Sequence, residues 1–139
     1  SNVDVLHSYN TAGNCPYDKS GRTYEPLSMN GQEVYKFAVS SATEDIRALC
    51  KAAGLDVNEI DHFVLHQANL RILEAVRTRL HQPPEKFPHN LEHYGNTSSA
   101  SVPLLLDELN RAGRLTRGER IAMSAFGAGL TTGACLLTW

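Results

Sequence analysis

The sequence predicts a layered α/β domain. Segments whose apolar residues recur at helical spacing alternate with short apolar runs. Two polar turns, at 66–69 and 95–98, stand directly ahead of helical segments, which is where open α/β sheets place their chemistry. The 139 residues suit one domain with a sizeable core. The expected order is helix, strand, helix, strand, helix, strand, strand, with no internal repeat and no low-complexity segment.

Residues 2–8 alternate loosely and predict a short strand. Residues 9–28 carry Gly13, Pro16, Gly21 and Pro26 among polar neighbours and predict a long loop. Residues 31–53 predict a long amphipathic helix, because Val34, Ala38, Ala42, Ile46, Leu49 and Ala53 fall at steps of three and four; Gly54 stands where a helix-ending glycine belongs. His62 to His66 is a short, mostly apolar run suited to a buried strand. A helix starting at Ala68 or Asn69 follows, with Leu70, Leu73, Val76 and Leu80 inward and Pro83-Pro84 stopping it.

Phe87 to Leu91 is a weaker strand candidate, interrupted by Pro88. After the Gly95–Ser98 turn, a helix is expected from about Ser99 to Arg111, burying Val102, Leu105, Leu106 and Leu109. Pro103 is tolerable there only in the first turn. Ile121 to Ala125 predicts a strand, Gly127-Ala128-Gly129 a tight turn, and Thr132 to Trp139 a closing strand.

Composition narrows the function. Net charge is −2, which gives no general basis for nucleic-acid binding. No apolar run approaches the ~20 residues of a membrane helix, and no leader-like pattern is visible, so no membrane partner is expected. Cys15, Cys50 and Cys135 are odd in number and widely spaced, which suggests neither a disulfide framework nor a CxxC site. Reduced thiols in a cytoplasmic protein are expected. His89 and His93, with His66, lack the surroundings of a zinc site, so no metal is expected. No phosphate-binding glycine motif is present.

Three turns carry candidate chemistry. His66 ends a buried run and faces a helix start, where a neutral imidazole can donate from one nitrogen while the other is held. Taken alone, it reads first as a satisfied structural histidine. Asn96, in Gly95-Asn96-Thr97-Ser98, offers amide N–H donors, although a turn or capping role is common for asparagine. Together the two suggest donors converging on one oxygen, an arrangement that stabilises developing negative charge. Gly127-Ala128-Gly129 is either a plain hairpin turn or a place where a ligand approaches backbone amides.

These stretches carry a resemblance. His66-Gln67-Ala68-Asn69, Gly95-Asn96-Thr97-Ser98 and Phe126-Gly127-Ala128-Gly129-Leu130-Thr131 stand in the order found in β-ketoacyl-acyl carrier protein synthase III. Met29 to Val39 looks like the stretch opening that family's carboxy-terminal half. The resemblance covers roughly residues 29–138.

The resemblance implies a thiolase-like fold of five alternating αβαβα layers, with residues 29–139 as its carboxy-terminal domain and 1–28 as a strand remnant and loop. It implies a decarboxylative condensation in fatty acid biosynthesis that joins an acyl-CoA primer to malonyl-acyl carrier protein, with no added cofactor. His66 and Asn96 would hold the malonyl thioester oxygen, and the Ala128 amide would serve the oxyanion at an acylated cysteine. Met29, Tyr35, Asn69 and Phe126 match the pantetheine channel, and Lys36 and Arg71 match positions that dock acyl carrier protein.

None of the three cysteines matches the family's nucleophile, which the resemblance places in the amino-terminal half. This chain alone is therefore expected to be inactive, and the complete enzyme to be a homodimer. Ala128 and Thr132 stand where the family usually has glycine and often tryptophan. A starter-unit condensing enzyme or acyltransferase of secondary metabolism, and a non-catalytic fragment, are the alternative readings.

Overall fold

Helices cover both faces of a three-stranded sheet in the computed structural model, which describes residues 4–7, 17 and 27–139. The elements are β1 (Leu6–His7), β2 (Ser28–Met29), α1 (Gly31–Ala53), β3 (His62–Leu65), α2 (Leu70–Leu80), α3 (Leu91–Tyr94), α4 (Ser101–Arg111), β4 (Arg120–Gly127) and β5 (Thr131–Thr138). In the sheet, β4 is central: β3 pairs with it in parallel, and β5 in an antiparallel hairpin.

Side-chain alternation divides the core in two. Phe63 and Leu65 of β3 and Ala122 of β4 pack with Ala38, Ile46, Leu73 and Val76 of α1 and α2. Val64 and Ile121 turn to the other face and pack with Leu105 and Leu109 of α4. A strand buried on both faces must be apolar throughout, and β3 is, beyond His62.

Helix α1 has the expected bounds. Asn30 caps it by accepting from the Glu33 N–H, and Gly54 ends it in the left-handed conformation at φ 70°. The other elements bring corrections. The expected 2–8 strand is confined to Leu6–His7 among the described residues, and it pairs with Ser28–Met29, across the expected boundary between the 9–28 loop and the carboxy-terminal domain. The rest of that loop, apart from Tyr17 and Leu27, lies outside the described residues. In α2, Leu70 is 45% exposed and Ile72 is buried in its place. Helix α2 is ended by His81, at φ 55°, whose N–H reaches the Arg77 and Thr78 carbonyls before the prolines begin.

Phe87–Leu91 is not a strand. Pro88 has no N–H to give a ladder. The Asn90 N–H donates instead to the Gln67 side chain, and the Phe87 ring stacks on Phe63 at 4.6 Å. The 95–98 turn therefore joins two helical segments, α3 and the 3-10 turn Ser98–Ala100 ahead of α4, rather than a strand and a helix.

Candidate functional site

A cleft of about 880 Å³ opens where β3 and β4 end and α1 and α2 begin. Its wall includes Met29, Tyr35, His66, Asn69, Arg71, Asn96, Phe126 and Ala128. Lys36 is one residue beyond Tyr35 on α1, outside that wall. It is exposed and paired with Glu33 at 2.9 Å.

His66 follows β3 directly. Its N–H donates to the Ser124 carbonyl at 2.8 Å, extending the parallel ladder by one bond. The ring is half-buried and meets Phe126 edge-on, with centroids 5.2 Å apart. Nδ1 lies 2.6 Å from Ser101 Oγ. Gln67 holds the turn from beneath: it is fully buried, its amide donates to the Leu65 carbonyl, and its N–H donates to Ser101 Oγ. Gln67 and Ser101 went unassigned in the sequence reading. Each is a polar residue in or beside one of the two polar turns, and nothing in its neighbours names a partner.

Burial lowers the His66 pKa below the usual imidazole value. The unfolded chain therefore takes up that proton first as pH falls. Stability from this group is complete above its unfolded value near 6.5 and is lost as pH falls toward the lower folded value. The slope of stability against pH in this acid window should flatten in His66→Gln, measured by urea unfolding. An unchanged slope would assign the acid loss to other groups.

Asn96 follows Gly95, whose φ of 65° and ψ of −154° belong to glycine. The Asn96 Oδ1 accepts the Ser98 N–H at 2.9 Å, with Ser98 itself at φ 54°. That bond occupies the oxygen and leaves the amide N–H groups for the cleft. Strained non-glycine backbone of this kind concentrates at functional sites.

Asn69 caps α2 by accepting the Arg71 N–H at 2.8 Å. The Arg71 guanidinium lies over the Tyr35 ring, 5.9 Å from its centroid. β4 runs to Gly127, two residues beyond the expected end, so Phe126 stands on the strand and Ala128 opens the turn. Among the described residues the non-glycines at positive φ are His81 and Ser98, so Ala128 keeps an ordinary backbone. Gly129 takes φ 130°, where an added Cβ would come within 2.8 Å of the Thr131 methyl.

Neither described cysteine lines the cleft. Cys50 is core, and burial, with the charges of Asp56 and Glu59, pushes its thiol pKa up. Cys135 is exposed on β5, and Cys15 lies outside the described residues. His89 bonds Glu92 at 3.0 Å. Among the described residues no three His, Cys, Asp or Glu side chains gather as a metal would need, and no helix is long and apolar enough to cross a membrane.

Solved structures share this fold. The β-ketoacyl-acyl carrier protein synthase III of Thermus thermophilus superposes with a TM-score of 0.86 at 43% identity, over 99% of this chain and 42% of that one. The Pseudomonas aeruginosa 3-oxoacyl-acyl carrier protein synthase III gives 0.87 at 34% identity, over 99% and 40%. The architecture is thus one half of the thiolase-like fold.

In sequence, the β-ketoacyl-acyl carrier protein synthase III of Microcystis aeruginosa is 54% identical over 117 residues, which is 84% of this chain and 35% of the relative. The family profile described as 3-oxoacyl-(acyl carrier protein) synthase III C terminal matches residues 50–139. The chain belongs to that family, and it spans about a third of the length of the curated relatives it matches.

Proposed function

We propose that this chain supplies the enolate-stabilising half of a decarboxylative condensation site in fatty acid biosynthesis. The supporting observation is that His66 and Asn96 line one cleft, each with its other polar atom already engaged. The reaction breaks the bond between the malonyl α-carbon and its carboxylate. Carbon dioxide leaves, and the electron pair moves into the thioester carbonyl, whose oxygen carries the enolate charge. The His66 Nε2–H and an Asn96 amide N–H donate to that oxygen. The enolate carbon then attacks an acyl thioester on a cysteine, and the thiolate departs.

In this reading the cysteine belongs to the amino-terminal half of the complete enzyme, a cytoplasmic homodimer. The Ala128 N–H serves the second oxyanion, the one that forms on the acyl group. Met29, Tyr35, Asn69 and Phe126 flank the pantetheine arm of acyl-CoA or malonyl-carrier protein. No metal or added cofactor takes part.

Lys36 and Arg71 dock the acidic carrier protein beside the cleft mouth. The complete enzyme, given an acyl-CoA primer and malonyl-acyl carrier protein, should release carbon dioxide and form the 3-oxoacyl product; no product would refute the reading. Lys36→Glu with Arg71→Glu should lower carrier-protein turnover about tenfold, more at low salt than at high. Turnover of malonyl-CoA should fall less, and with less dependence on salt. An equal fall with malonyl-CoA would remove docking from their roles.

A further inference from the structure

The His66 ring has two nitrogens, and only the one bearing hydrogen can donate when the ring is neutral. We propose that Ser101 is a positioning residue that delivers its hydroxyl proton to Nδ1 and thereby fixes His66 as the Nε2–H tautomer. The inference deepens the proposed function and rests on it for its catalytic consequence.

Ser101 is the first residue of α4 and is 1% exposed, so its hydroxyl must find partners within the protein. Among the described residues, two groups reach Oγ. One is the Gln67 backbone N–H at 3.2 Å, which can only donate. The other is His66 Nδ1 at 2.6 Å. With Gln67 donating into one lone pair, the hydroxyl proton needs an acceptor. Among the bonds of the described residues, Nδ1 is the acceptor within reach.

The opposite tautomer would place two donors, the Gln67 N–H and an Nδ1–H, on Oγ. The buried hydroxyl proton would then have no acceptor, which is the costly half of an unmade hydrogen bond. It would also turn a bare Nε2 lone pair toward a developing oxyanion. Gln67 contributes at one remove: its side chain ties to the Leu65 carbonyl and the Asn90 N–H, so its own N–H stays aimed at Ser101. Burial disfavours the protonated ring, and in the neutral ring the tautomer is the quantity left to set.

The test is a nitrogen spectrum of the complete enzyme labelled with 15N-histidine above pH 7, with the His66 signals assigned by their loss in His66→Gln. The expected spectrum shows Nε2 bearing hydrogen and Nδ1 accepting a hydrogen bond. Ser101→Ala should give a mixture of tautomers and lower condensation kcat about tenfold, the effect of one hydrogen bond, with little change in KM for the malonyl thioester. Ser101→Thr, which keeps the hydroxyl, should restore the single tautomer and the rate.

An Nδ1–H ring in the wild type overturns the proposal, as does an unchanged tautomer in Ser101→Ala. Should Ser101→Ala fail to fold, the wild-type spectrum and Ser101→Thr decide alone. A Ser101-dependent Nε2–H ring in an enzyme whose His66→Ala variant still decarboxylates normally would sink the oxyanion reading and leave the tautomer assignment standing.

Discussion

In the complete enzyme, His66→Ala should cut malonyl decarboxylation by roughly two to three orders of magnitude, the usual cost of removing one oxyanion donor. The loss should fall on kcat, because the donor's bond strengthens as the enolate forms and contributes less to the resting thioester. Transfer of the primer onto the cysteine should persist, since in the proposed reaction the Ala128 N–H, and not the imidazole, serves that step's oxyanion. Radiolabelled malonyl thioester measures the first step, and trapped acyl-enzyme the second. Decarboxylation near the wild-type rate would remove His66 from the mechanism. Loss of both steps together would instead indicate damage to the turn that Gln67 supports.

Phe63→Ala should destabilise the fold by about 3–5 kcal/mol, the range for deleting a buried aromatic. Phe63 is fully buried on β3 and stacks on Phe87 with the rings 16° from parallel. Natural domains have only ~5–15 kcal/mol in total, so this one truncation removes a large share. The denaturation midpoint should drop with little change in slope. The effect should reach the cleft as well, because Phe87 anchors the segment whose Asn90 N–H meets Gln67. A loss below about 1 kcal/mol would show that the surroundings collapse into the space.

Helix α1 was legible because its signals are local: a repeating apolar step, Asn30 before it and Gly54 after it. β3 was legible as an unbroken apolar run. Leu70 misled because it is the first residue of α2, and a stripe drawn at regular steps does not fix which side of that first turn faces inward: Leu70 is 45% exposed and Ile72 is buried instead. Phe87–Leu91 misled because its aromatic and apolar residues serve a tertiary stack and its backbone partner is a side chain. The β1–β2 pairing joins segments more than twenty residues apart, a separation at which alternation carries no register.

The site divides in the same way. His66 and Asn96 could be picked out because each combines a polar group with a turn ahead of a helix, and because the order of motifs resembles a known family. The structure places both on the wall of one cleft. Ser101 was invisible as a partner of His66, since the two are 35 residues apart and nothing local points from one to the other. The negative φ of Ala128 was likewise unreadable, because it depends on Gly129 absorbing the unusual backbone angle.

The parallel pairing of β3 with β4 has a kinetic consequence. Asp61 and Arg120, whose bond borders that ladder, are 59 residues apart. Closing so long a loop costs entropy before any contact compensates it, and distant pairings slow folding. The helices, built on near neighbours, are free to form early. The bond from the His66 N–H to the Ser124 carbonyl belongs to the late, long-range event. In refolding, the helical signal should therefore rise no later than binding competence, and binding competence rising first would contradict this order.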